Sequence, residues 1–427
     1  MSGMQKRHPV YRLHLVAEVL VGQRLPPLHS DAFMSRIGAT VKSFRFCRPW
    51  ILALGLVVLA GCAPERHWES ALVLADVAAG EIPSLLKANT AEPARTAVRY
   101  TVAGRERTGD LYTPADAKPL AGIVLVPGAV PQGKDEPRIV AFARTLARAR
   151  FAVLVPDITG LRELRIHPSD ARVVADAFVW LAGQPELAPA GQAGMAAFSY
   201  GVGPAVLAAL EEDVRMRVRF VVGVGGYYDL PGTIRYFTTG YYQAEGAWQH
   251  LTPDDYGKLV LVQSALPYMN AHDAQLLSAM ATHRLEDRAA DLAALAAQLG
   301  HEGQAVHALA LNTDPEVFPR LYAELPARLR ADLGALSLHD KDLGRLAAQL
   351  ILVHGHNDNL IIWTESVALA SALPPGQANL YLLDAVLGHV DLSLSHVLTR
   401  RFLSRELPDI LHMWRAVDRL LAQREAP

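Results

Sequence analysis

Along two stretches of the chain, residues 96–225 and the region after 350, short apolar runs alternate with segments in which apolar side chains return every three or four positions. The runs at 123–126, 152–155, 193–198, 220–224, 350–353 and 380–383 are bounded by Gly, Pro or Asp, as strands buried on both faces should be. Between them, Ile139, Phe142, Ala143 and Leu146 share one helical face. Val173, Val174, Ala177, Trp180 and Leu181 share another, which ends near Gly183. Strands alternating with amphipathic helices predict an α/β fold: a mostly parallel central sheet flanked by helices. Residues 96–112 would lead it with an antiparallel hairpin.

The alternation stops after residue 226. From 227 to 345 the pattern is mostly helical: Thr252-Pro253-Asp254-Asp255 offers an N-cap with proline in the first turn, and Thr313-Asp314-Pro315-Glu316 reads as a capping box. Leu292, Leu295 and Leu299 fall at helical spacing, as do Phe318, Leu321, Tyr322 and Leu325. A structureless loop of this length is implausible. Residues 227–345 are therefore expected as a helical cap over the carboxyl edge of a core formed by 96–226 and 346–427. Tyr241, Tyr242 and Trp248 could line an apolar pocket there, but the expectation is that they fill the cap's own core.

Composition narrows the chemistry. The chain has 427 residues, 51% of them hydrophobic and 20% charged, with 41 basic against 43 acidic side chains. That is ample for a packed core and leaves no basic stripe, so nucleic acid is not an expected partner. Both cysteines, Cys47 and Cys62, fall in the first 62 residues, so residues 63–427 have neither an internal disulfide nor a thiolate metal site. Lys42, Arg45 and Arg48 precede an apolar run at 50–60, which has the form of a secretory signal and is shorter than the roughly 20 residues a membrane span requires. It ends in Leu59-Ala60-Gly61-Cys62, which resembles the lipobox of bacterial lipoproteins. The resemblance implies removal of residues 1–61, counted from a start at Met34 or at Met1, and a lipid anchor on Cys62. Residues 62–95 would then be a tether and leading helical segment. Ala63 after the cysteine implies the outer membrane, facing the periplasm.

The most informative segment is Ala197-Phe198-Ser199-Tyr200-Gly201-Val202-Gly203, where an apolar strand ends at a serine and small residues open a helix. A hydroxyl on such a turn is exposed, with a helix N-terminus aimed at developing negative charge. The segment resembles the nucleophile elbow of the α/β-hydrolase superfamily, usually Gly-x-Ser-x-Gly, with Ala197 in place of the first glycine. Further on, a buried strand leads into His354-Gly355-His356-Asn357-Asp358, similar to that superfamily's His-Gly-x-x-Asp signature, and Gly388-His389 follows the next strand. The order Ser, acid, His is the superfamily's order. The resemblance implies Ser199 as nucleophile, His389 as base and Asp358 as the orienting acid, with Asp229 after the preceding strand as the alternative acid. The Pro127-Gly128-Ala129 loop resembles the family's His-Gly loop, implying an oxyanion hole from the backbone N–H groups of Tyr200 and Ala129. The resemblance runs over about 98–389 and is nearest the dienelactone-hydrolase-like and prolyl-oligopeptidase-like branches.

These readings imply a lipid-anchored serine hydrolase acting on a small-molecule acyl substrate, a carboxylic ester or related bond, without a cofactor. His354 and His356 alternate at a strand end and so point apart, and no His-Glu-x-x-His motif is present, so no metal site is expected. Gly223 to Gly226 lacks the spacing and following acid of a dinucleotide fingerprint. Peptidase and thioesterase activities stay open, as does a non-catalytic envelope lipoprotein that uses the fold for binding or scaffolding.

Overall fold

The computed structural model describes residues 64–287, 290–385, 387 and 406–425. Cys47, Cys62, the apolar run before Cys62, and His389 lie outside the described residues.

Eight strands form one sheet: β1 (Ala94–Val102), β2 (Arg105–Thr113), β3 (Ala121–Val126), β4 (Phe151–Pro156), β5 (Ala193–Phe198), β6 (Phe220–Val224), β9 (Gln349–Gly355) and β10 (Ala378–Leu383). Their spatial order is β1-β2-β4-β3-β5-β6-β9-β10. The first two are an antiparallel hairpin and β2 meets β4 antiparallel, while every later neighbour pairs in parallel. All six apolar runs and the leading hairpin stand where the pattern puts them.

Strand residues alternate between two cores. Ile123 and Leu125 of β3 enter one core with Phe151, Val153 and Val155 of β4; Val124 and Val126 enter the other with Ala152 and Leu154. Each wholly buried aliphatic or aromatic side chain of this kind stabilises the fold by about 1.5–3 kcal/mol. On the first face lie α1 (Pro64–Ala79), α2 (Leu85–Asn89), α3 (Pro137–Arg148) and, from the other end of the chain, α15 (Leu407–Glu425). The second face carries α5 (Ser169–Ala182) and α6 (Val202–Leu210), with the short α4 (Thr159–Arg162) before them.

The leading segment is a docked helix. Arg66 pairs with Asp418 at 3.0 Å and Glu425 at 2.9 Å on α15, and the Trp414 indole N–H donates to the His67 carbonyl at 3.0 Å. Asp76, buried beneath α1, accepts from Lys87 Nζ and Thr145 Oγ1, each at 2.6 Å, and from Ser84. Burial alone would raise its pKa, but these donors outweigh burial and hold it below the ordinary carboxylate value.

Residues 227–345 hold α7 (Leu230–Thr239), a small hairpin of β7 (Tyr241–Ala244) and β8 (Ala247–His250), then α8 (Tyr256–Ala265), α9 (Ala271–Glu286), α10 (Ala293–Ala296), α11 (His301–Leu311), α12 (Phe318–Glu324) and α13 (Ala327–Leu336). The hairpin departs from an all-helical reading. Glu245 and Gly246 both take positive φ, 52° and 78°, the turn that matches the twist of a tight hairpin. Trp248 on it is 41% exposed, with the Arg235 guanidinium 5.1 Å from its ring centre, so it does not fill the cap core, whereas Tyr242 packs against the core. Two expected helix starts are also displaced. Asp254 and Asp314 use their carboxylates to accept from the N–H two residues on, at 2.8 Å each, and the helices begin later, at Tyr256 and Phe318. The last helix before the final strand is α14 (Thr364–Ser371).

Asp176, wholly buried on α5, clamps the leading hairpin to the second face. Its carboxylate meets Arg105 at 2.7 Å, Arg107 at 3.0 Å and Arg172 at 2.9 Å. Replacing it by alanine leaves three guanidinium groups facing one another, and Asp176→Ala is expected to cost about 2–4 kcal/mol. Urea unfolding checks this.

Candidate functional site

The carboxyl ends of β3, β5, β6 and β9 carry the candidate residues. β5 holds Phe198 in extended backbone, and Ser199 then turns to φ 52° before a single tight turn, Ser199–Gly201, leads into α6. A left-handed φ costs a residue with a Cβ about 1–2 kcal/mol, so this conformation persists only because both sides of the turn are fixed. One side is β5. The other is the loop after β3: a Cβ at Gly201 would stand 2.6 Å from the Pro127 carbonyl oxygen, and one at Gly128 would stand 3.2 Å from Ser199 Cβ. Glycine at both positions lets the Pro127-Gly128-Ala129 backbone lie directly against the serine.

The cap fastens that loop. Tyr256 Oη donates to the Ala129 carbonyl at 2.7 Å, and the Asp254 N–H donates to the Asn359 carbonyl at 2.8 Å, one residue past Asp358. The start of α8 therefore bridges the loops after β3 and β9. Among the described residues, no backbone carbonyl outside the regular helices and strands accepts from the N–H of Tyr200 or Ala129.

Tyr200 is buried, its ring 5.9 Å from that of Tyr227, and its hydroxyl donates to Asp170 Oδ2 at 3.1 Å. Asp170 also accepts from the His167 N–H at 3.0 Å. Burial pushes the Asp170 carboxyl up to about 6 against these two donors. The same aspartate reaches the wall of a cleft of about 640 Å³ lined also by Arg107, Asp157, Arg165, Tyr268 and Arg328. Ser199 does not line that cleft.

Asp358 is 1% exposed. Its Oδ1 accepts from the N–H groups of Leu360 at 2.9 Å and Ile361 at 3.0 Å, and its Oδ2 lies 3.3 Å from His354 Nε2. His354, wholly buried, is 2.8 Å from the Ile361 carbonyl through Nε2 and 2.7 Å from Ser366 Oγ through Nδ1. A carbonyl only accepts, which assigns a proton to Nε2, while Nδ1 is paired with the Ser366 hydroxyl. His356 points the other way, onto the Trp363 ring at 4.6 Å and to Asp384.

Asp229 stands five residues past the end of β6, the strand between β5 and β9, immediately before α7. Its carboxylate is 3.4 Å from Ser337 Oγ, and its own N–H donates to Glu365 Oε2 at 2.7 Å. Glu365 also accepts from the Tyr228 N–H at 2.9 Å. The sequence gives no sign of this role, because both donors are backbone groups and Glu365 is only one acid in the first turn of α14. Burial pushes the Glu365 carboxyl up to about 7; the two N–H donors oppose this and the Asp229 charge adds to it. The structure thus brings Ser199, Tyr200, Ala129, Asp229 and Asp358 to one edge of the sheet. Among the described residues, no group of three or more His, Cys, Asp or Glu is placed to hold a metal ion.

No family model matches the chain, and no curated protein does. Solved structures do. A protein from Legionella pneumophila described as a suspected hydrolase is 13% identical, with a TM-score of 0.50 over 82% of this chain and 94% of its own. The chain has the α/β-hydrolase fold. An esterase from Pyrobaculum calidifontis, 13% identical, aligns over 87% of this chain and 97% of its own with a TM-score of 0.41. A dienelactone hydrolase from Anabaena variabilis, 15% identical, aligns over 76% and 97% with a TM-score of 0.38. In this fold the strand ends where Ser199 and Asp358 stand are also where ligands bind in open α/β sheets.

Because the Glu365 pKa is raised from 4.5, the folded chain holds a proton that the unfolded chain releases. Stability from this group is complete below about pH 4.5 and is lost as pH rises through about 7. Glu365→Gln keeps the acceptor oxygen and carries no charge. Relative to wild type, its melting temperature should rise between about pH 5 and about pH 8. Calorimetry at the two pH values tests this, and an unchanged difference would count against it.

Proposed function

We propose that this chain is a lipid-anchored serine hydrolase that cleaves a carboxylic ester or related acyl bond through an acyl-Ser199 intermediate. The observation that carries the reading is Ser199 held at φ 52° between the end of β5 and the backbone of Gly128. A strained serine pressed against the backbone of the loop after β3 has the form of a nucleophile beside an oxyanion site.

In this reading Ser199 Oγ attacks the acyl carbon while His389 takes its proton, and the tetrahedral oxyanion accepts from the N–H groups of Tyr200 and Ala129. The imidazolium then protonates the leaving alcohol as the carbon–oxygen bond breaks. Water, deprotonated by the same imidazole, releases the acid and restores the serine. Asp358 fixes the imidazole tautomer and offsets its charge. The role of His389 comes from chain order and motif. No metal or cofactor enters any step. The lipid anchor at Cys62, with the outer membrane facing the periplasm as its site, rests on the Leu59-Ala60-Gly61-Cys62 pattern.

A fluorophosphonate probe is expected to label the folded protein, and Ser199→Ala to abolish the labelling. A folded, unlabelled wild type would defeat the enzyme in favour of a binding module. On p-nitrophenyl esters, Asp358→Asn should lower kcat by about 10³–10⁴-fold and Asp229→Asn by less than about tenfold. The reverse ranking moves the acid to Asp229. Turnover of aminoacyl amides or thioesters in preference to esters would redirect the substrate class.

A further inference from the structure

The described chain begins, at Pro64, two residues after Cys62 and is helical from there. One side of α1, with Ser70, Val73 and Asp76, is buried. The opposite side carries Trp68, 60% exposed, and the exposed Ala75 and Ala78 at seven and ten residues' spacing. Apolar exposure continues past the helix end at Ile82, 66%, and Leu85, 62%. Leu411 on α15, also exposed, lies one turn from Trp414, whose indole N–H donates to the His67 carbonyl. Two charged groups of the first turns, Arg66 and Glu69, turn toward α15 and pair with Asp418 and Arg424. Four of the large exposed apolar side chains of the described residues thus fall on this segment and the helix packed against it.

We propose that the outward face of α1 and the turn after it lie on the bilayer surface, with Trp68, Ile82 and Leu85 at the boundary between headgroups and acyl chains. The proposal rests on the reading of Cys62 as lipid-anchored. Extended backbone covers at most about 3.6 Å per residue, so a lipid on Cys62 holds the start of α1 within roughly 10 Å of the membrane. There is no room for a tether, and a face so close to lipid must be either wetted or inserted. Tryptophan with an apolar body and one N–H suits that boundary. The charges beside the face are mixed: Glu65 is acidic, Glu81 lies 3.9 Å from Arg144, and Arg415 and Arg419 on α15 are exposed and basic, so no single sign of charge draws the face to anionic lipid and apolar burial must supply the contact. The occupant is a neutral bilayer surface. Because α1 lies in the layer covering one face of the sheet, docking there leaves the strand ends that carry Ser199 opening along the membrane instead of into it.

The test uses the full chain, expressed with its leader, and phosphatidylcholine vesicles carrying brominated acyl chains. Tryptophan fluorescence should be quenched on vesicle addition, and most of that quenching should vanish in Trp68→Phe. The double variant Ile82→Glu, Leu85→Glu should remove most of the Trp68 quenching while the anchor keeps the protein on the vesicles, and should leave ester turnover unchanged. The intact mass of the peptide containing Cys62 reports the anchor separately. Lipid on Cys62 with unquenched Trp68 overturns the surface and keeps the anchor; quenched Trp68 with unmodified Cys62 does the reverse. A vesicle-free dimer broken by the same double variant, with no quenching, would assign the face to a second copy of this chain and overturn the proposal.

Discussion

The carboxyl edge of this sheet depends on one close approach, that of the backbone after β3 to the turn after β5. The two strands are parallel neighbours in register, Val126 against Ala197, so both chains leave the sheet at the same level. They can do so side by side only if side chains are absent where they meet, at Gly128 and Gly201, and small at Ala197. The approach holds Ser199 in a backbone conformation it would not adopt alone. The cost, about 1–2 kcal/mol, is minor beside the burial of β3 and β5, whose apolar side chains are almost wholly removed from water.

The cap extends the same logic. It is tied to the core where the candidate residues stand, Tyr256 to Ala129 and Asp254 to Asn359, and its own two ends are tied together by the Tyr227 hydroxyl, which donates to the Leu336 carbonyl at 3.1 Å. The Leu338 N–H returns to the Tyr228 carbonyl at 2.9 Å. Each tie fixes a loop that comes after a strand, and loops are the mobile part of such a fold. Rigidity at this edge is therefore supplied from above by the cap as much as from below by the sheet.

Burial decides how far this was legible in the sequence. Strands covered on both faces must be continuously apolar, so 123–126 and 350–353 announced themselves and grew by only a few residues at their ends. The β7–β8 hairpin meets the core through Tyr242, while β8 is exposed throughout, and only Glu245-Gly246 marked it. Asp254 and Asp314 carry the residue types of a helix start, but each satisfies a local N–H in a turn, a competition that the sequence cannot resolve. Ser199 was legible because a strand, a serine and small residues occur in a fixed order. Glu365 was not, since its partners are main-chain groups that any residue supplies. His389 lies outside the described residues, so its proposed role as base rests on the sequence alone.

The two candidate acids differ in ways that favour one of them. An acid that orients an imidazolium has to stay ionised and keep a single orientation. Asp358 receives two consecutive backbone N–H groups on one oxygen and has His354 Nε2 near the other, an arrangement that suits a carboxylate and fixes its plane. His354 is itself fixed at both nitrogens, so the support is two layers deep. Among the described residues, the Asp229 carboxylate has only the distant Ser337 hydroxyl as a donor, and its own N–H is committed to Glu365. Glu365 is a second carboxyl that titrates near neutrality, so ionising it works against the charge on Asp229. A carboxylate with one distant donor is less suited to hold an imidazolium in a single orientation than the well-bonded Asp358.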